Sequence, residues 1–306
     1  MNTSVNIGSV RLNNPLLLAS GTCGFGRELS DYIDLSKLGG ICSKGLTPLP
    51  RLGNDGCRVA ETAAGMLNSV GLQNPGVDYF IENDLSFMAS LGCKVIVNAA
   101  GHSEADYVQM IEKLAAFQEQ ISAIELNLSC PNVKEGCMIF GSSPKAIYDL
   151  VSKLRSMTKI PLWIKLTPNI TSISEAALAA QEAGADAVVA INTLLGMAID
   201  SKTRRPVLTN NTGGLSGPAI KPVALRMVSE CFRSLKIPVI GCGGIMTAND
   251  VIEFMIAGAT AVEIGTATLI HPASCETILE DLFSYMENEK IGKLSDIIGT
   301  IKLWGE

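Results

Sequence analysis

The sequence predicts an α/β fold of the (β/α)8 class, a TIM barrel with an N-terminal hairpin and long insertions at the C-terminal face of its strands. Three observations predict it. Short apolar runs alternate with segments of helical period along the chain, eight such runs can be placed, and every segment too long for a simple connector follows the carboxyl end of a strand.

The opening, Val5-Asn6-Ile7-Gly8-Ser9-Val10-Arg11-Leu12, alternates about a Gly-Ser turn and reads as a small hairpin. Strands are expected at 16–20, 40–44, 94–99, 123–128, 161–166, 187–192, 238–242 and 261–265. Helices are expected near 75–91, 103–118, 142–157, 173–183, 221–235, 248–257 and 272–288, with a shorter one near 30–37. Ser172 with Glu175 has capping-box spacing, and Ser103 and Thr247 are suited to N-caps. The string Ala183-Gly184-Ala185-Asp186-Ala187-Val188 returns as Ala257-Gly258-Ala259-Thr260-Ala261-Val262, a helix end running through glycine into a strand. This echo fits a repeated βα unit, although any helix-to-strand turn uses such residues. Segments 45–74, 129–143 and 194–220 are the long ones, placed where barrels carry chemistry. No linker divides the chain, so residues 1–306 read as one domain.

Composition excludes several functions. A net charge of −6 argues against nucleic acid or an anionic membrane as the main partner. No apolar run reaches spanning length and no basic-then-apolar leader opens the chain, so no anchor or signal peptide is expected. Nine scattered cysteines, never as C-x-x-C, suit reduced thiols in the cytoplasm and offer no iron–sulfur or zinc ligand set; no metal is expected.

The most informative stretch is Ala123-Ile124-Glu125-Leu126-Asn127-Leu128-Ser129-Cys130-Pro131-Asn132. On a period of two, Glu125, Asn127 and Ser129 share one face, which in a buried strand faces a lumen or a ligand. Pro131 then breaks the strand into a loop and leaves Cys130 just past that polar row. Buried free cysteines are usually small hydrophobes, but this setting makes Cys130 a candidate nucleophile or base. A thiol of ordinary pKa near 8.5 is only about 3% thiolate at neutral pH, so its surroundings must help it ionise. The two histidines, His102 and His271, read as structural or solvated. Gly241-Cys242-Gly243-Gly244 and Gly265-Thr266 end the seventh and eighth strands, where backbone N–H groups can hold a phosphate; tight turns alone would explain them too. Neither Gly24-Phe25-Gly26 nor Gly241-Cys242-Gly243 completes G-x-G-x-x-G, so a dinucleotide fold is not supported. Lys44, Lys165 and Asn98 lie at strand ends, and two lysines aimed at one mouth imply a bound anion or an electron-rich ring.

Asn127-Leu128-Ser129-Cys130-Pro131-Asn132 closely resembles the catalytic motif of the dihydroorotate dehydrogenases, FMN-containing barrels of pyrimidine synthesis. The resemblance runs essentially end to end, through Ala19-Ser20-Gly21-Thr22, Ser43-Lys44-Gly45, Asn68-Ser69-Val70-Gly71-Leu72-Gln73-Asn74-Pro75-Gly76, Ile164-Lys165-Leu166, Ile191-Asn192-Thr193 and Gly241-Cys242-Gly243-Gly244. Asn132-Val133-Lys134-Glu135-Gly136 and the stretch from Gly196 to Pro218 resemble the NAD-linked, two-subunit branch. Cys137 departs from the small residue expected at its place.

The resemblance implies the roles. Cys130 would take the C5 proton of dihydroorotate while hydride from C6 passes to N5 of FMN, and positioned base catalysis is typically worth about 10²–10⁴ in rate. Lys44, Asn68, Ser69, Val70, Gly71, Leu72, Asn127, Asn192 and Thr193 would hold the substrate. Ser20, Lys44, Gly45, Asn98, Asn127, Lys165, Ile191, Gly217, Gly243, Gly244, Gly265 and Thr266 would hold FMN. Lys165 would face the flavin where charge grows; a unit pair at 4 Å in an effective dielectric near 20 is worth about 4 kcal/mol before desolvation. This chain has no nicotinamide fold, so a partner subunit carrying FAD and a [2Fe–2S] cluster is implied, in a heterotetramer built on a barrel dimer. The alternatives are a homodimeric enzyme using fumarate and a non-catalytic flavin-binding electron-transfer scaffold. Reduction of uracil or thymine, which lack a carboxylate for Lys44, is a related possibility.

Overall fold

The computed structural model of the chain describes residues 1–128, 141 and 143–305. Eight parallel strands close into a barrel in chain order: Leu16–Leu18, Gly40–Cys42, Lys94–Ala99, Ala123–Asn127, Leu162–Lys165, Ala187–Ala190, Val239–Cys242 and Ala259–Ile264. Each expected strand is present. Each pairs with the next, and the register sets Asn98 beside Glu125, Asn127 beside Lys165, and Cys242 beside Glu263. Parallel strands need long crossovers, which the helices Glu104–Leu114, Pro144–Arg155, Ile173–Glu182, Lys221–Ser234 and Ala248–Ala257 supply, while Ser274–Asn288 follows the last strand.

The helical face is legible in the spacing. In Pro144–Arg155 the buried residues are Ala146, Ile147, Leu150, Val151 and Leu154, spaced by three and four. Expected helix 75–91 is instead two helices, Val77–Asn83 and Leu85–Ser90, meeting at Asp84, whose carboxylate takes a hydrogen bond from Arg27. The short helix near 30–37 becomes one turn at Arg27–Ser30 and a 3-10 turn at Leu35–Lys37.

Ser103 and Thr247 both form complete capping boxes, with Asp106 and Asp250. At Ser172 only the side-chain half forms, accepting from the Glu175 N–H. Thr247 closes the loop that follows the seventh strand, and its partner Asp250 also receives Lys221 at 2.6 Å. Thr247→Ala is expected to lower stability by about 0.5–2 kcal/mol, measured as a fall in the urea midpoint with an unchanged slope.

The hairpin Val5–Ile7 and Val10–Leu12 buries Val5, Ile7, Val10 and Leu12, and Gly8 lies against Asp186, which precedes the sixth strand. It therefore sits at the amino ends of the strands. At the other end the insertions build a second sheet that the sequence did not reveal. Leu194–Gly196, Gly213–Ser216, Gly65–Asn68 and Val59–Thr62 pair antiparallel in that order, joining segments 45–74 and 194–220. Two residues cross there without side chains: an added Cβ on Gly217 would lie 2.7 Å from the Gly65 Cα. Among the described residues no helix is long and apolar enough to cross a membrane.

Candidate active site

Every barrel strand delivers at least one of the expected site residues at its carboxyl end. Ser20 follows the first strand, Lys44 and Gly45 the second, and Asn98 and Asn127 lie at the ends of the third and fourth. Lys165 ends the fifth, Ile191, Asn192 and Thr193 follow the sixth, Gly243 and Gly244 the seventh, and Gly265 and Thr266 the eighth. Residues far apart in sequence thus share one mouth, the face at which barrels of this kind carry chemistry.

The structure joins several of them directly. Asn192 donates to the Asn127 carbonyl oxygen Oδ1 at 3.2 Å, and the Tyr107 hydroxyl donates to the Asn127 backbone carbonyl at 2.6 Å. Asn68 lies against Gly214, whose carbonyl accepts from Asn68 Nδ2 at 3.4 Å, and Gly214 in turn lies tightly against Thr193. Gly45 leaves room between Asn98 and Leu72: a Cβ there would meet Asn98 Oδ1 at 2.9 Å and Leu72 at 3.3 Å. Leu72 follows Gly71, and both hold left-handed backbone, with φ of 54° and 78°. The Val70 carbonyl accepts from the Asn54 N–H, and the Ser69 N–H donates to the Arg58 carbonyl.

On the other side of the mouth, Thr266 donates to Ser216 at 2.8 Å, next to Gly217. Gly243 and Gly244 have φ of 125° and 78°, and a Cβ on Gly244 would lie 2.7 Å from the Lys221 N and 2.9 Å from the Gly217 carbonyl. The turn after the seventh strand is therefore closed to side chains and opens backbone toward the mouth.

Polar atoms remain that want a ligand. Asn98 is fully buried, yet among the described residues its Oδ1 has no hydrogen-bond partner, and neither has the buried hydroxyl of half-buried Ser69. Burial lowers the Lys44 ammonium from its ordinary value, and Arg58 adds to this; among the described residues Lys44 makes no ion pair. A half-buried cation and unpaired amide and hydroxyl oxygens suit a planar, anionic, hydrogen-bonding molecule.

Lys165 differs from the sequence reading. Its anionic partners are the protein's own: Glu263 Oε2 at 2.5 Å and Glu125 Oε1 at 3.4 Å. Glu125 is fully buried and Glu263 nearly so. Glu125 Oε1 also accepts from Asn98 at 2.5 Å and from the Cys42 thiol at 3.4 Å. Burial raises the Glu125 carboxyl, but Lys165 and these donors outweigh it and hold it below its ordinary value. Burial and then the charge of Glu125 push Glu263 well above the usual carboxylate range. Burial opposes the Lys165 charge, but the two carboxylates outweigh it and hold the ammonium well above its ordinary value. Neither glutamate was singled out for a role, although Glu263 is a charge inside the apolar run Ala261-Val262-Glu263-Ile264, which was the available signal.

His102 touches Arg51, Nε2 to Nη1, and burial and that guanidinium both lower its pKa, in keeping with a structural role. Cys130 and Cys137 lie outside the described residues.

The family model for dihydroorotate dehydrogenase matches residues 2–286. The "Dihydroorotate dehydrogenase B (NAD(+)), catalytic subunit" of Geotalea uraniireducens is 50% identical over 298 residues, covering 97% of each chain. The proteins of that name from Caldicellulosiruptor bescii and Trichlorobacter lovleyi are 48% and 49% identical, covering 99% and 98% of this chain and 100% and 98% of theirs. With similarity at this level across a closed barrel whose mouth carries the motif residues, this chain belongs to the dihydroorotate dehydrogenase family.

Proposed function

We propose that the chain oxidises dihydroorotate to orotate in pyrimidine synthesis, as the catalytic subunit of an NAD-linked enzyme. Full-length similarity to catalytic subunits of that name supports the activity and a partner subunit. The observation that carries the substrate assignment is the mouth itself. Lys44 offers a partly buried ammonium, without an ion pair among the described residues, for a carboxylate, and Asn68, Asn127 and Asn192 line the mouth with groups that both donate and accept, as an imide edge requires. Ser69, Val70, Gly71, Leu72 and Thr193 complete the binding set.

The cofactor is FMN, which supplies hydride acceptance from C6. Asn98 Oδ1, without a partner among the described residues, and the glycine turn at Gly243 and Gly244 fit an isoalloxazine edge and a phosphate. Ser20, Lys44, Gly45, Asn127, Lys165, Ile191, Gly217, Gly265 and Thr266 complete its set. Lys165 holds positive charge toward the ring, and Cys130 takes the C5 proton. Residues 1–306 act as one domain in the cytoplasm. Electrons leave through a subunit carrying FAD and [2Fe–2S], in a heterotetramer around a dimer of this chain.

The visible spectrum of the purified chain tests this. A flavin spectrum that bleaches with dihydroorotate, and recovers with NAD only when the partner subunit is added, is expected. Recovery with fumarate and no partner overturns the NAD assignment, and no bleaching with dihydroorotate overturns the activity.

A further inference from the structure

A layer of ionisable groups lies inside the barrel, and the reaction assigned above uses only one of them. Glu125 comes from the fourth strand, Lys165 from the fifth and Glu263 from the eighth, all closed off from water. Cys42 from the second strand and Asn98 from the third complete the contacts to Glu125, while Cys242 from the seventh strand and Cys23 beyond the first face Glu263. The thiols are pushed up by burial, Cys23 and Cys242 to about 12 and Cys42 well above its ordinary value, so they are neutral donors. Among the described residues, one cation therefore faces two carboxylates.

Two buried carboxylates in contact with one ammonium leave an uncompensated negative charge if both are ionised, and an interior site neutralises such a charge by taking up a proton. The donors are distributed unequally. Glu125 Oε1 receives an ammonium, an amide and a thiol, whereas Glu263 Oε2 receives the ammonium alone; among the described residues the second oxygen of each, Glu125 Oε2 and Glu263 Oε1, has no hydrogen-bond partner. Cys42, Glu125 and Glu263 lie close enough together to hold a metal ion, but the Lys165 ammonium already contacts both carboxylates.

We propose that Glu125 and Glu263 share one buried proton beneath Lys165, making them positioning residues that set the charge Lys165 presents to the mouth. With the proton in place the cluster is neutral. Without it the cluster carries one negative charge, directed at the place where an anionic cofactor would bind. The proton resides mainly on Glu263, and Glu125 serves as the ionised counter-charge. Either glutamate can take the other's part, because whichever carboxylate remains can pair with Lys165.

The charge count is tested without any cofactor by infrared difference spectroscopy of the chain. The native protein is expected to show the carbonyl stretch of one protonated buried carboxyl at neutral pH. The band is expected to vanish in both Glu263→Gln and Glu125→Gln, since a lone carboxylate ionises against Lys165, and to double in Lys165→Met. Absence of the band in the native chain, or its persistence in both glutamine variants, overturns the proposal. A second readout rests on the FMN assignment. FMN affinity, titrated by quenching of flavin fluorescence, is expected to change less than about threefold in either single variant, because each keeps a neutral cluster. In the double variant it is expected to change more than about tenfold. A single variant as damaging as the double one overturns the shared proton. No FMN binding by the native chain, with the infrared pattern intact, overturns only the cofactor assignment.

Discussion

Replacing Cys130 by alanine is expected to slow bleaching of the bound flavin by dihydroorotate about 10²- to 10⁴-fold, the usual contribution of a positioned base. That corresponds to about 3–5 kcal/mol of lost transition-state stabilisation. The C5 proton of dihydroorotate is not acidic enough to leave to water at a useful rate, so a group must be ready to take it as hydride leaves C6. The residue with the right chemistry in the family motif is the thiol. Two further observations separate loss of a base from loss of the site. The alanine variant should keep its flavin spectrum and its affinity for orotate, because the binding set is other side chains, Asn127 on the preceding strand and the rest on other strands and loops. The native rate should rise with pH as the thiol ionises, and Cys130→Ser, whose hydroxyl does not ionise in that range, should lose that rise. Stopped-flow absorbance at several pH values measures all three. Flavin reduction at an unchanged rate in the alanine variant would remove Cys130 from the mechanism.

The barrel was legible because its signals are local. A parallel strand buried on both faces is a short apolar run, and all eight runs could be found one at a time. The mouth was legible because a strand end is a position in sequence as well as in space, which is why Lys44, Asn98 and Lys165 could be grouped before their contacts were known. The second sheet was not legible. Its strands have three-to-four-residue runs such as Gly65–Asn68 and Leu194–Gly196, half-exposed, and their pairing joins segments about 150 positions apart, a relation no local period encodes. The break at Asp84 escaped because both halves of that helix share an apolar face, and only the bond from Arg27 shows where the chain turns. The largest omission was electrostatic. Sequence could place Lys165 at a strand end but could not say what faced it, since the two carboxylates arrive from strands 40 and 98 residues away.

That buried cluster also governs the largest stability effect. Lys165→Met, close in volume but uncharged, is expected to cost about 3–5 kcal/mol near neutral pH, since removing one member of a buried ion pair leaves its partners uncompensated. The pH dependence identifies the cause. In the native chain the Glu125 carboxyl lies below its unfolded value, so its contribution is present above about pH 4.5 and is lost on acidification. Glu263 lies above its unfolded value, so its contribution is fully present below about pH 4.5 and is lost as pH rises through the folded value. Lys165, raised above its ordinary value, contributes fully below about pH 10.5 and is lost only at higher pH. Without the ammonium, only the Asn98 and Cys42 hydrogen bonds still oppose burial at Glu125, and the folded variant is expected to bind one proton more than the folded native chain over the range in which unfolded carboxyls are ionised. The stability gap should then widen by about 1.4 kcal/mol per pH unit above pH 4.5, until the second carboxyl ionises. Urea unfolding of both proteins between pH 5 and pH 8 measures the slope. A gap that is large but constant across that range would mean that lost packing, not the stranded carboxylates, causes the damage.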